Sequence, residues 1–238
     1  MNNIVHYILE SKKYSWEETF LTIKNRERID WDKVNSLNSN SCELSLMIDS
    51  KNYPQKLTEI YMPPFELFYC GNYKVIDSKK VIGIAGSLSE NETNELIDFV
   101  NTNKLSIAIL EKDLSEKLYQ LCKDLNLNLI VICKNTITNF KFYKKQYKNL
   151  LLISETGIED WNRSEEQTYE RILFSVSNFI YIKTNNIYKL ISLHLNTKFR
   201  NKHFFVKKNF KLSDQARCLF KSNELFFINT YDDIHHIC

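Results

Sequence analysis

The stretch VIGIAGSLSENETNELIDFVNTNKLSIAIL, residues 81–110, decides the fold. VIGIAGS at 81–87 is an apolar run ending in small residues, the pattern of a strand covered on both faces. ENETNELIDFVNTN at 90–103 is amphipathic at helical spacing, with Ser89 or Asn91 as its cap. SIAIL at 106–110 is a second buried strand. Two doubly apolar strands joined by a helix read as a parallel crossover unit.

The same alternation continues toward the C-terminus. LSEKLYQLCKDLN gives a helix, LIVIC at 129–133 a strand and LLLIS at 150–154 another. RSEEQTYERILFSVS at 163–177 reads as a helix and FIYIK at 179–183 as the next strand. A helix near 186–196, the strand HFFVK at 203–207, a helix near 213–222 and the strand ELFFI at 224–228 complete the series. The pattern predicts an α/β fold: one Rossmann-like, mostly parallel sheet with helices on both faces. Toward the N-terminus, residues 1–50 read as a short helical segment. Ile4, Val5, Ile8 and Leu9 share one apolar face, and Trp16, Phe20 and Ile23 another. Ser15 and Glu18 form a capping-box pair, and residues 31–40 weaken into a polar connection. The Rossmann-like domain is expected over 51–238.

Composition narrows the chemistry. Four glycines in 238 residues are too few for the bare-backbone loops that cradle dinucleotides, and no GxGxxG fingerprint occurs. The net charge of +3 is modest, so any nucleic-acid surface must be local. The six cysteines form no CxxC pair, and the opening MNNIVHYILESKKY is too polar for a secretory signal; reduced thiols in the cytoplasm are expected. No apolar run approaches the ~18 residues of a membrane span. His235, His236 and Cys238 make an HHxC tail too sparse for a closed metal site, and Ser87 and Ser154 have no histidine at a diagnostic spacing. Neither cofactor nor enzymatic chemistry is expected.

Several phrases, in order, resemble the DprA/Smf family of DNA-processing proteins. Residues 53–72, with Tyr53-Pro54, Leu57, Ile60, Pro63-Pro64, Leu67 and Gly71-Asn72, resemble that family's YPxxLxxIxDPPxxLxxxGN phrase, with Met62 in place of the Asp. Ile84-Ala85-Gly86-Ser87 is similar to its IVGSR strand end, with Leu88 in place of the Arg. Leu151-Leu152-Ile153-Ser154-Glu155 resembles its LLLSE phrase, and Arg171-Ile172 falls where its RNRIIAGLS helix would. His203 to Val206 resembles its VFAVPG strand, and residues 217–233 its closing stretch. The glycine-rich SGxARGID and hydroxyl-rich SGSLIT phrases are replaced, by residues 106–114 and 187–192, and the winged helix of some members is not expected. The resemblance implies a non-enzymatic, homodimeric protein that binds single-stranded DNA in transformation or recombination, with a RecA-type recombinase as partner.

Candidate contacts follow from charge and from the resemblance. Ser87 closes the first strand–helix turn, where backbone N–H groups meet an anion. FKFYKKQYKN at 140–149 interleaves Lys144, Lys145 and Lys148 with Tyr143 and Tyr147; cations hold phosphates while aromatic faces stack bases. Arg171 matches a family arginine, with Glu166 and Glu170 near it as local ion-pair partners. Lys189, Lys207 and Lys208 fall near the carboxyl edge of the sheet, where open α/β sheets bind ligands. Such residues lining that edge would hold a single strand. The alternative is a scaffold or interaction protein of the same fold that has lost the DNA pocket along with the family's glycines and the arginine at position 88.

Overall fold

In the computed structural model of the chain, residues 2–36, 44–142, 147–157, 169–183, 202–208 and 225–234 are described. Three helices lead: α1 (Asn2–Ser11), α2 (Trp16–Lys24) and α3 (Trp31–Ser36). Ser15 caps α2 by accepting from the Glu18 amide. Then come β1 (Leu44–Met47), α4 (Gln55–Thr58), β2 (Glu66–Gly71), β3 (Val81–Ala85), α5 (Glu90–Asn103), β4 (Ser106–Leu110), α6 (Glu116–Asp124), β5 (Leu129–Ile132), β6 (Leu150–Ser154), α7 (Glu170–Val176), β7 (Phe179–Ile182), β8 (His203–Lys207) and β9 (Leu225–Ile228).

The nine strands among the described residues form one sheet in the order β1-β2-β6-β5-β4-β3-β7-β8-β9. The seven strands from β3 to β9 are parallel, and the predicted runs supply every one of them. β1 and β2 extend the sheet antiparallel beyond β6. Two expectations are corrected. The segment 1–50 is not helical throughout, because Leu44–Met47 pairs with β2; and residues 31–36 of the expected polar connection are helix α3. The helices expected near 186–196 and 213–222 lie outside the described residues.

Strict alternation along each strand feeds two cores. Ile82, Ile84, Ile107, Ile109, Leu129, Val131, Leu150 and Leu152 face α5 and α6, with Leu9 and Tyr14 of the N-terminal segment on the same side. Val81, Ala85, Ala108, Leu110, Ile130, Ile132, Leu151 and Ile153 face α7 and α4. Each such side chain withdrawn from water contributes roughly 1.5–3 kcal/mol, which is why strands apolar on both faces need helices on both sides. Gly83 is required by the close approach of α7: a Cβ there would stand 2.3 Å from Ser177 Oγ.

Chain order along the sheet reverses at β3. From β3 the chain runs outward through β4, β5 and β6, then returns to β7 on the other side and runs outward through β8 and β9. The crevice beyond the carboxyl ends of β3 and β7 is therefore the topological switch point, where this class of sheet receives ligands.

Candidate nucleic-acid interface at the carboxyl rim

The switch point is built by Gly86-Ser87 after β3 and Lys183 after β7. Gly86 takes φ +115, and a Cβ on it would stand 2.8 Å from that of Lys183, so only glycine brings the two strand exits together. α5 starts directly beyond, capped by a box in which the Ser89 hydroxyl accepts from the Glu92 amide and the Glu92 carboxylate accepts from the Ser89 amide at 3.0 Å. Lys183 Nζ donates to both Glu92 oxygens at 2.6 and 2.5 Å. Burial works against ionisation of Glu92, but hydrogen bonds from Lys183 and Ser89 outweigh it and hold the carboxyl down at about 2.

Ser87 is exposed and its hydroxyl faces Asp113, which follows β4. Asp113 Oδ2 accepts from the Gly86 amide at 3.1 Å, while Oδ1 lies 3.5 Å from Ser87 Oγ. A backbone N–H and a hydroxyl thus converge on one oxyanion. On the far side of β7, Lys208 is exposed at the end of β8. Lys207 Nζ instead donates to Glu95 on α5 at 2.8 Å and sits over the Tyr231 ring.

The other sequence-predicted residues are placed differently. Arg171 is fully buried. Its guanidinium donates to both oxygens of Glu155, the residue after β6, and its Nε donates to the Met62 carbonyl at 3.0 Å. Of the two expected local partners, Glu170 instead accepts from Lys112 at 2.8 Å, and Glu166 lies outside the described residues. Arg171 therefore braces the rim from beneath, tying α7, the end of β6 and the loop before β2 together. Tyr147 and Lys148 precede β6 and lie at the amino edge, the opposite end of the sheet from Ser87. Tyr147 is half-buried, donates to the Leu127 carbonyl at 2.9 Å and packs edge-on to Tyr119. Lys148 is exposed there. Phe142 stacks on Tyr119 and Phe140 meets it edge-on, so the described aromatics of 140–149 pack into the core. Tyr143, Lys144, Lys145 and Lys189 lie outside the described residues, as do His235, His236 and Cys238. Among the described residues, no helix is long and apolar enough to cross a membrane.

Sequence reasoning missed Glu92, Asp113 and Glu155 as the carboxylates that organise the rim. Glu155 carried a signal: an acid directly after a buried strand needs a partner at the sheet end. Asp113 reads, with Glu111, only as one of several strand-end carboxylates, because its partners are reached across the sheet.

Fold and rim together define an open, doubly wound α/β protein with its crevice between β3 and β7. A family model described as DNA recombination-mediator protein A matches residues 45–105, the run from β1 through α5. No curated protein matches the sequence. DNA processing protein A (DprA) of Streptococcus pneumoniae has a similar structure, with TM-score 0.66 and 17% identity over 92% of this chain and 80% of that one. DNA processing protein A of Helicobacter pylori, whose structure is described for its single-stranded DNA binding mode, gives TM-score 0.57 and 17% identity over 83% of this chain and 96% of that one. The DprA/Smf resemblance is thus borne out, by the matched segment and by the fold.

Proposed function

We propose that this chain is a single-stranded DNA-binding, DNA-processing protein of DprA/Smf type, with the strand seated on the carboxyl rim around β3, β7 and β8. The observation that carries the reading is the convergence of the Gly86 amide and the Ser87 hydroxyl on one oxyanion, at the point where a doubly wound sheet takes its ligand. A phosphate diester presents the same pair of acceptor oxygens. Lys208 supplies an exposed cation on the same rim, and Lys144, Lys145, Lys189 and Tyr143 are further contacts in the proposal. The single-stranded DNA binding named for the Helicobacter pylori protein supports the choice of ligand. By the same resemblance the protein acts without catalysis, in the cytoplasm, as a homodimer that hands the strand to a RecA-type recombinase.

A specific observation favours a second reading, a scaffold of this fold with no DNA pocket. Lys183 and Lys207, two cations at the carboxyl rim, are both held by glutamates of α5. Titration of the purified protein with labelled oligo-dT and with duplex at low salt separates the two. Preference for the single strand supports the first reading, and the absence of binding to either supports the scaffold.

A further inference from the structure

Carboxylates of this chain occupy backbone donors at several exits of the parallel sheet. Glu92 accepts from the Ser89 amide within its own capping box, and Asp233 accepts from the Asn229 amide at 2.6 Å within its own turn. These are local, routine caps. Glu111 Oε2 reaches across to the Lys134 amide at 3.3 Å, joining the exits of β4 and β5. Glu92 also meets an amide and a hydroxyl, both of its own cap residue Ser89; Asp113 differs in position. It crosses from the exit of β4 to the exit of β3, and its two oxygens face two donors of different kinds, the Gly86 amide and the Ser87 hydroxyl. This is the geometry in which a phosphate would meet the same donors.

Asp113 is poorly compensated in that place. It is half-buried, and burial pushes its carboxyl above the ordinary range. The adjacent cation, Lys112, offsets this only in part and through its charge alone, because its ammonium is bonded to Glu170 and set over the Tyr169 ring. The two contacts are long, at 3.1 and 3.5 Å, where charge-assisted bonds to a carboxylate are shorter. A carboxylate held this loosely is displaceable.

We propose that Asp113 is an internal stand-in for a phosphate: it occupies the Gly86 and Ser87 donors in the free protein and has to leave them before a nucleic-acid phosphate can bind there, so that it sets the affinity of the rim for single-stranded DNA. The inference rests on the functional reading above and names the regulation of that same site.

The test compares binding of labelled oligo-dT to the full chain and to Asp113→Asn and Asp113→Ala, with Glu90→Gln as the control for bulk charge. Glu90 opens α5 beside the rim, is highly exposed, and among the described residues pairs with Lys117 at 3.8 Å. Removing the carboxylate charge from the donors tightens binding about tenfold, the worth of one charge-assisted hydrogen bond, in both Asp113 variants. Glu90→Gln gives less than about twofold, the scale of one screened surface charge. Adding Ser87→Ala to Asp113→Asn removes much of the gain. Equal binding by the wild type and both Asp113 variants overturns the gating and leaves the functional reading standing. An equal gain in Glu90→Gln overturns it as well, because the effect is then bulk charge. No binding by any variant overturns the functional reading and the gating with it. If neither Asp113 variant folds, the Gly86 amide resonance of the wild-type protein decides: a shift on adding oligo-dT supports displacement, and no shift under saturating binding overturns it.

Discussion

Arg171 lays its guanidinium against the Glu155 carboxylate, donating to each oxygen, with both side chains withdrawn from solvent. The third side of the fork reaches the Met62 carbonyl, and Met62 holds that carbonyl in place with a left-handed backbone, φ 52. Two segments that resemble a family phrase, residues 53–72 and 151–155, are therefore bound to the third by one arginine. Truncation to Ala leaves the Glu155 charge buried and unpaired, a loss of about 3–5 kcal/mol. Urea unfolding of Arg171→Ala measures this. The double variant Arg171→Met/Glu155→Met recovers much of the loss, because it removes both charges together.

Glu92 ties the start of α5 to the end of β7 through Lys183. Its folded-state carboxyl lies at about 2, below the ordinary 4.5, so the folded state favours the ionised form. The stabilisation is fully present above about pH 4.5 and drains away as pH falls toward 2. With allowance for the half-buried lysine, it amounts to roughly 1–3 kcal/mol. Glu92→Gln flattens stability against pH across that window, measured by thermal unfolding from pH 2 to 6. An unchanged acid slope in the variant contradicts the assignment.

His6 docks α1 on the sheet: its Nδ1 meets the buried carboxylate of Glu66 on β2 at 2.7 Å, and Nε2 faces Glu10 at 3.4 Å. The hydrogen bond to Glu66 is the main cause that raises the imidazole above 6.5; burial opposes it, and the charges of Glu66 and Glu10 add to the rise. A raised folded-state value gives stability that is complete below pH 6.5 and lost as pH rises through the folded-state value. His6→Gln removes that alkaline loss, and Glu10→Gln leaves most of it in place. Melting temperatures from pH 5 to 9 follow both.

The strands were legible because each is apolar on both faces, a pattern that only a sheet covered on two sides satisfies. β1 was not: Leu44–Met47 is short, its first residue is highly exposed, and its place is set by pairing with β2 at the sheet's edge. The scarcity of glycine argued correctly against a dinucleotide loop, yet it did not remove left-handed turns. Lys104 and Asn126, which follow α5 and α6, take φ 53 and 52 without it. Arg171 reads as a solvent-facing cation when matched by position alone. Its neighbours Ile172, Leu173 and Phe174 put it on a helix that is buried on every side, and there a charge needs an opposite charge. Tyr147 and Lys148 were expected among the rim contacts but emerge at the amino edge, a placement that only the path of the chain across the sheet sets.

Gly86 offers a direct check on the switch point. Gly86→Ala forces a Cβ into Lys183 on a backbone at φ +115, so it costs stability of about 1–3 kcal/mol and moves the β3 exit away from β7. Ser87→Ala, on an exposed side chain, leaves stability within about 0.5 kcal/mol of the wild type. Chemical denaturation of the pair separates a structural glycine from a ligand-facing serine.

The central claim, a single strand seated on the carboxyl rim, is tested most directly by the salt dependence of oligo-dT binding in Lys208→Ala and Lys148→Ala. The two lysines are both exposed and lie at opposite ends of the sheet. Log affinity falls linearly with log salt, and each phosphate that a variant no longer neutralises reduces the slope by about 0.7 for a single strand. Lys208→Ala flattens the slope by about that amount, and Lys148→Ala leaves it unchanged. The reverse pattern, a flatter slope in Lys148→Ala with Lys208→Ala like the wild type, contradicts the account and places the strand on the amino edge.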